Sequence, residues 1–157
     1  MLDTFMIGLT HVVIYFVIGL MALMLGRKFF DWMSSYDLTH ETSENDNNAV
    51  AFAEAGFYIG IAIIIHASVE GEINYDLFPF LNEENPGLWK VLGAELIMTT
   101  LYFLIGLVCL GFGRKGIHKI MPYDMDKEII EDRNVGVGVL EACFYISVAI
   151  IIHGILI

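Results

Sequence analysis

Two glutamates, Glu54 and Glu141, lie inside long apolar stretches and are the clearest candidates for chemistry in this sequence. Each follows the start of its stretch by about two helical turns, roughly 10 Å at 1.5 Å per residue. A charged side chain at that depth in a bilayer costs about 2.5–3.5 kcal/mol and usually faces a bundle interior or a water-filled cavity. Because removal from water favours the neutral carboxyl, we expect one or both acids to be protonated at neutral pH.

Tyrosine and asparagine residues accompany both glutamates at helical spacing. Tyr58 and Tyr145 follow the glutamates by one turn, and Asn47 and Asn134 precede them by two turns. At 100° per residue, each Asn, Glu and Tyr set falls within about 60° of one helix face. The six residues therefore predict a proton- or cation-binding site. Two structural alternatives remain, because a protonated Glu can hydrogen-bond a neighbouring helix and an Asn can cap its own.

Histidines mark the other end of the same two apolar stretches. His66 and His153 follow the glutamates by 12 residues, which is about 18 Å along a helix. With His11 and Glu95, they have the side-chain types of a proton relay or of a transition-metal site, and we interpret them as a relay in the outer half of the membrane. Interfacial, hydrogen-bonded histidines are the alternative. No close ligand spacing supports a metal, so neither a metal nor a cofactor is predicted.

The loops after the first and third apolar stretches each carry three acids at i, i+4 and i+7. They are Asp37, Glu41 and Glu44 in one loop, and Asp124, Glu128 and Glu131 in the other. On a short helix each trio forms one acidic stripe, whose like charges repel unless a cation or a basic partner relieves them. The stripes predict a docking face for a cytoplasmic protein or a vestibule for cations. The alternative is a solvated face paired with neighbouring Arg and Lys.

The elements that must position these residues are membrane-spanning helices. Hydrophobic residues make up 57% of the 157 residues and charged ones 17%, an excess that requires a lipid bilayer or partner subunits. With 8 Lys and Arg and no basic stripe, nucleic acid is not expected as a partner. We predict an all-α polytopic membrane protein. Its four transmembrane helices are placed at residues 5–25, 48–69, 88–112 and 135–157.

The chain repeats itself with a shift of 87 positions. Residues 1–70 align with residues 88–157 without a gap, with about 26 identities in 70 pairs. The organisation is thus a first two-helix repeat at 1–70, an acidic and aromatic linker at 71–87 and a second two-helix repeat at 88–157. Because each unit contains an even number of spans, the two repeats must be parallel, with the same orientation in the membrane.

Basic residues predict the orientation of the helices. Seven of the 8 Lys and Arg follow the first or the third span, and Lys90 alone is on the other side. This bias places both loops in the cytoplasm and both termini outside. The N-terminus has no basic start typical of a cleaved signal, so we expect the first helix to be retained as an anchor.

The stretch from Asn47 to Gly60 and its partner from Asn134 onward, both rich in small residues after a polar loop, carry a family resemblance. Both resemble the YjfL-type bacterial inner-membrane proteins (domain of unknown function 350), in which this unit is commonly duplicated. The resemblance covers essentially the whole chain. It implies a four-helix protein of the bacterial inner membrane and supplies no activity. The helix of that family is apolar where Glu54 and Glu141 stand, so the two acids depart from its pattern.

These observations predict a homo-oligomer of the bacterial inner membrane that binds or conducts protons or small cations through its glutamate layer. Four spans barely enclose a pathway, so several chains are the simplest route to a pore. The alternative is a non-conducting scaffold or partner-recruiting subunit. The sequence has no nucleophile–base pair, phosphate-binding glycine loop or zinc signature, so we do not expect an enzyme.

Overall fold

The computed structural model describes residues 2–71, 76–82 and 87–157, and most of these residues are helical, with no β-strand among them. The α-helices are α1 Leu2–Met33, α2 Asn48–Glu70, α3 Leu88–Ile120, α4 Met125–Ile130 and α5 Val135–Leu156. A π-helical turn spans His40–Glu44 and a 3-10 turn spans Pro79–Asn82. The all-α prediction is confirmed. Of the predicted linker, residues 72–75 and 83–86 lie outside the described residues.

Four of these helices are long and apolar enough to cross a membrane, as predicted. The candidate spans are Gly8–Met33, Asn48–Glu70, Leu88–Ile120 and Val135–Leu156. Both α1 and α3 continue about two turns beyond the apolar stretches that ended the predicted spans. Hydropathy marks the end of the apolar surface, whereas the helical hydrogen bonds continue through polar residues. As a result Arg27 and Arg114 lie within helices and not in loops.

Helices α2 and α5 form the closest helix pair of the fold. At their contact Gly56 faces Ala142 and Gly138 faces Ala49, and a Cβ on either glycine would overlap backbone atoms of the facing helix. Small residues at such positions allow two helix backbones to approach closely within a membrane. The pairing of α2 with α5 therefore brings the two glutamate-bearing helices together at the centre of the molecule.

Helices α1 and α3 flank this central pair. Only 6% of the apolar window of α1 is buried, against 44% for α2, so most of α1 faces lipid or another subunit. Where α1 does pack, the Phe30 ring stacks on Phe57 at 4.7 Å between centroids and meets Tyr145 edge-on at 5.7 Å. These three aromatic rings pack in the core next to Glu141 of α5.

The two loops that precede α2 and α5 have the same backbone conformation at their last two residues. Asp46 and Arg133, 87 positions apart, both adopt a left-handed conformation, with φ of 49° and 50°. The next residue, Asn47 or Asn134, is the N-cap, and its side chain accepts backbone N–H groups of the first helical turn. The capping alternative for both asparagines is confirmed. Repetition of the unit and its parallel orientation stay predictions.

Candidate functional site

Glu141 is completely buried and is the centre of a polar cluster at one end of the helix bundle. Its Oε1 atom accepts a hydrogen bond from Nε of Arg114 at 2.9 Å and another from the hydroxyl of Tyr145. Nε2 of His118 lies 3.4 Å from the same oxygen. A carboxyl that receives an Arg N–H is held as the ionised partner of a buried ion pair. Protonation of one or both glutamates, which their depth in the apolar stretches suggested, stays a prediction.

Arg114 joins this carboxylate to the loop helix α4 and to the end of α1. Its side chain is 7% exposed, and its Nη2 atom lies 2.7 Å from Oδ1 of Asp126. Its Nη1 atom donates to the carbonyl oxygen of Met33 at 3.2 Å, and its guanidinium carbon lies 6.0 Å from the centre of the Phe30 ring. One guanidinium therefore holds two acids, which a planar group with five N–H donors is able to do.

His118 lies one helical turn beyond Arg114 and contacts the same two acids. Its Nδ1 atom is 3.8 Å from Asp126, while its Nε2 atom is 3.4 Å from Glu141. A neutral imidazole has one N–H donor, whereas an imidazolium has two. Both ring nitrogens lie near carboxylate oxygens. We call Arg114, His118, Asp126, Glu141 and Tyr145 the α5 cluster.

Two buried polar atoms next to the α5 cluster have no hydrogen-bond partner among the described residues: the Glu141 Oε2 atom and the Tyr36 hydroxyl. Burial raises the pKa of the Tyr36 phenol, and the negative charge of Glu141 raises it further. Tyr36 is therefore a neutral O–H group in the electrostatic field of the glutamate. It is available as a donor at neutral pH.

The corresponding α2 cluster consists of Arg27, Thr39, Glu54 and Tyr58. Oε1 of Glu54 receives Nε of Arg27 at 3.0 Å and the Tyr58 hydroxyl at 3.1 Å. Nη2 of Arg27 donates to the Thr39 hydroxyl at 3.1 Å. Each residue stands 87 positions before its counterpart in the α5 cluster, with Thr39 at the position of Asp126. The Arg–Glu–Tyr geometry is thus present twice.

The two clusters differ in exposure and in charge. The side chain of Arg27 is 45% exposed and that of Glu54 is 13% exposed, against 7% and 0% for Arg114 and Glu141. Thr39 is neutral where the α5 cluster has an acid, and the residue 87 positions before His118 is Asp31. The α2 cluster is therefore a simple, partly exposed ion pair. The α5 cluster contains a second acid and a titratable ring.

The asparagines and the loop acids are used together within the loops. Nδ2 of Asn47 donates to Glu41 at 3.2 Å, and Nδ2 of Asn134 donates to Glu128 at 2.9 Å. These bonds and the caps account for the side chains of both asparagines. Neither is bonded to Glu54 or Glu141 within the described part of the chain.

The outer acids of each trio serve other roles. Asp37 and Asp124 each accept a backbone N–H three residues ahead, and Glu44 pairs with His40 at 2.9 Å. Glu131 lies 4.0 Å from Lys127. Each trio is therefore divided between inward bonds and exposed carboxylates. A single uninterrupted acidic stripe is not present, whereas docking of a partner on the exposed acids stays a prediction.

The four residues proposed for the outer half separate into two groups. The imidazole rings of His66 and His153 stack, with centroids 5.6 Å apart, between α2 and α5. On the other side, His11 lies 4.0 Å from Glu95, which also accepts the Tyr15 hydroxyl at 3.1 Å between α1 and α3. The structure thus provides two outer polar contacts where one relay was predicted.

Sequence reasoning missed the basic half of the site. Arg27 and Arg114 were assigned to membrane topology, and His118 and Asp126 were not singled out. The available signal was spacing, because 27 residues separate Arg from Glu in both the α2 and the α5 cluster. The same basic and acidic residue types at one separation in both places indicate a pair.

Four apolar helices around paired Arg and Glu side chains define the class: a multi-pass membrane protein with charged groups held inside its helix bundle. The chain belongs to the family described as Domain of Unknown Function (DUF350), whose sequence model matches residues 4–156. This confirms the family resemblance noted in the sequence. Comparisons with curated proteins and with solved structures found no match.

Proposed function

We propose that this protein binds and conducts protons within the membrane through the α5 cluster and works as an oligomer in the bacterial inner membrane, with both termini outside. The observation that carries the proposal is the position of His118, whose two ring nitrogens face Glu141 and Asp126. Protonation of this ring would place a positive charge between the two carboxylates, within ion-pair distance of both.

Charge counting supports a proton as the ligand. Glu141 and Asp126 contribute two negative charges and Arg114 one positive charge, so the α5 cluster has one excess negative charge when His118 is neutral. Uptake of one proton on His118 makes the cluster neutral. An uncompensated charge is costly away from water, and the neutral cluster avoids this cost.

The same contacts argue for protons over other small cations at this site. The Arg114 guanidinium already occupies the cation position beside Glu141, at 2.9 Å from Oε1. A metal cation at this oxygen would have to displace the guanidinium or lie beside it. A proton adds to Oε2 or to the imidazole without displacing any side chain. Glu54, with the more exposed Arg27, is the second element of the proposed glutamate layer.

The uncovered surface of α1 is available either to lipid or to other subunits. Large apolar side chains along this helix are exposed, including Val12, Phe16 and Met24 at 66%, 66% and 67%. One chain contains a closely packed α2–α5 centre, so a pathway for protons requires surfaces from several chains. We propose that α1 contributes to the contacts between those chains.

Proton flux in proteoliposomes tests the proposal. Purified protein is reconstituted with a pH-sensitive dye in the lumen, and a pH step is applied outside. We expect wild-type protein to dissipate the gradient, and Glu141→Gln together with Glu54→Gln to abolish that flux while preserving the oligomer. His118→Gln is expected to slow it strongly. His40→Gln is the matched control, since His40 is exposed and pairs with Glu44 in its loop, away from both clusters.

A non-conducting scaffold is the second candidate function. It is favoured by the glycine contacts between α2 and α5, because such close packing stabilises a helix bundle whether or not the protein conducts protons. In that case Arg–Glu pairs lock the helices, and exposed loop acids such as Asp37 and Asp124 recruit a basic cytoplasmic partner. Wild-type vesicles that show no flux above protein-free vesicles would reject proton conduction and leave this scaffold function.

A further inference from the structure

A second group of chemically reactive side chains lies at the opposite end of the spans from the α5 cluster. His66 and Glu70 are one turn apart on α2, with Nδ1 and Oε2 3.4 Å apart. His153 on α5 stacks against His66. One ligand atom from each of the three residues lies within 4.8 Å of the others. Two imidazoles and a carboxylate thus converge from two helices.

We propose that His66, Glu70 and His153 form a binding site for a divalent transition metal of the Zn²⁺ class, joining the ends of α2 and α5. This site shares no residue with the α5 cluster and does not rest on the proposed proton function. With the predicted orientation of the helices, it faces the outside of the cell.

The donor set determines the class of metal. Imidazole nitrogens with one carboxylate oxygen are ligands of Zn²⁺ and of similar first-row ions, whereas Mg²⁺ and Ca²⁺ prefer oxygen ligands alone. Three protein ligands leave the fourth tetrahedral position open to water. The site therefore has the composition of an open zinc site.

The spacing of the ligand atoms is also suitable. Metal–ligand distances of about 2.0–2.2 Å require neighbouring ligand atoms roughly 3.3 Å apart in a tetrahedron. The His66–Glu70 distance of 3.4 Å already meets this value. The side chains of His66 and Glu70 are 62% and 52% exposed, so rotation about their side-chain bonds can complete the geometry with His153. That exposure also gives an ion access from water.

The site depends on the packing of the central helices and exists once per chain. Close approach of α2 to α5 at the glycine contacts brings His153 beside His66. The residue 87 positions after Glu70 is Ile157, which is no metal ligand. A histidine on each repeat and one acid therefore produce a single site and not a symmetric pair of sites.

His40 and Glu44 supply the internal control. They form the same i,i+4 pair at 2.9 Å, also exposed, at the other end of the molecule. Their contact involves one histidine and one acid from a single loop turn. Such a pair provides two ligands and is expected to bind Zn²⁺ weakly.

Zinc titration of the purified, metal-free full chain in detergent tests the site. We expect calorimetry to show about one Zn²⁺ per wild-type chain and no comparable binding of Mg²⁺. His153→Gln and Glu70→Gln should each weaken Zn²⁺ binding at least about tenfold, and His40→Gln should leave it unchanged. Saturating Zn²⁺ should raise the Tm of wild type, because an ion that binds only the folded state stabilises it. The Tm of His153→Gln should not respond.

Three results would overturn the proposal. One is wild-type protein that binds no Zn²⁺ beyond a His66→Gln/His153→Gln double variant. Another is His153→Gln that keeps wild-type affinity, since ligands then do not come from both helices. The third is an equal loss in His40→Gln. All the substituted side chains are at least partly exposed, so an unchanged Tm without Zn²⁺ verifies that each variant is folded. None of these results bears on proton flux.

Discussion

The Nε atom of Arg114 lies 2.9 Å from Oε1 of Glu141, and the two residues are separated by 27 positions. Arg27 and Glu54 have the same separation in sequence and lie 3.0 Å apart. The first pair is buried, whereas the Arg27 side chain is 45% exposed. One chain therefore contains the same ion pair in two environments. The Arg27–Glu54 pair is therefore the control for experiments on the Arg114–Glu141 pair.

Loss of the guanidinium should cost far more in the buried pair. Arg114→Met leaves Glu141 and Asp126 without their shared cation, and an uncompensated buried charge destabilises by about 3–5 kcal/mol. Arg27→Met removes a pair whose cation is 45% exposed, so it should cost clearly less than Arg114→Met. Thermal unfolding of both variants in the same detergent measures the difference. Equal shifts in Tm would show that the contribution of an Arg–Glu pair to stability does not depend on its burial.

Removal of the glutamate as well should recover part of that loss. In Arg114→Met/Glu141→Leu the charge left uncompensated by the first change is replaced with an apolar side chain, which is often neutral or stabilising in a buried pair. We expect the double variant to be at least about 1 kcal/mol more stable than Arg114→Met alone. A double-mutant cycle with Glu141→Leu measures the coupling. Strictly additive losses would contradict direct pairing.

The helices were predictable from sequence because their signal is local, whereas the site was not. Hydropathy located all four spans, and the Asn47 and Asn134 caps followed from residue type and position. The partner of Glu141 depends on how far α3 continues beyond its apolar stretch. The apolar stretch ends before Arg114, so hydropathy predicts a loop at this residue. A loop prediction does not give the direction of the side chain, and the contact of Arg114 with α5 was therefore not predictable.

The contact of His66 with His153, and the separation of both from His11, also required the structure. Residues at matching depth can lie on opposite sides of a helix bundle, and depth was all that the sequence provided. The contacts of α2 with α5, and of α1 with α3, decide which polar groups meet. Which helices pack against each other is a tertiary property, and a single sequence without related sequences to compare does not reveal it.

Alkaline pH should destabilise the protein through Tyr36. Burial and the charge of Glu141 raise the pKa of the Tyr36 phenol in the folded protein. Its contribution is therefore fully present below the unfolded pKa of about 10 and is lost as pH rises through the higher folded value. We expect Tyr36→Phe to lose less stability than wild type between about pH 10 and pH 12. Tyr123→Phe, 37% exposed and 87 positions on, is the control and should follow wild type in Tm measured against pH.

Addition of one methyl group at the contact between α2 and α5 should lower the stability of the protein. A Cβ at Gly56 would overlap the backbone of Ala142, and backbone atoms cannot rotate away as a flexible side chain can. We expect Gly56→Ala to destabilise by about 1–3 kcal/mol, the usual cost of overpacking. Gly116→Ala is the matched control, because no atom lies within 4 Å of its added Cβ and Ala is the better helix former. Unfolding in detergent should therefore rank Gly116→Ala at or above wild type, with Gly56→Ala below both. Wild-type stability in Gly56→Ala would mean that the two helices do not touch at this position.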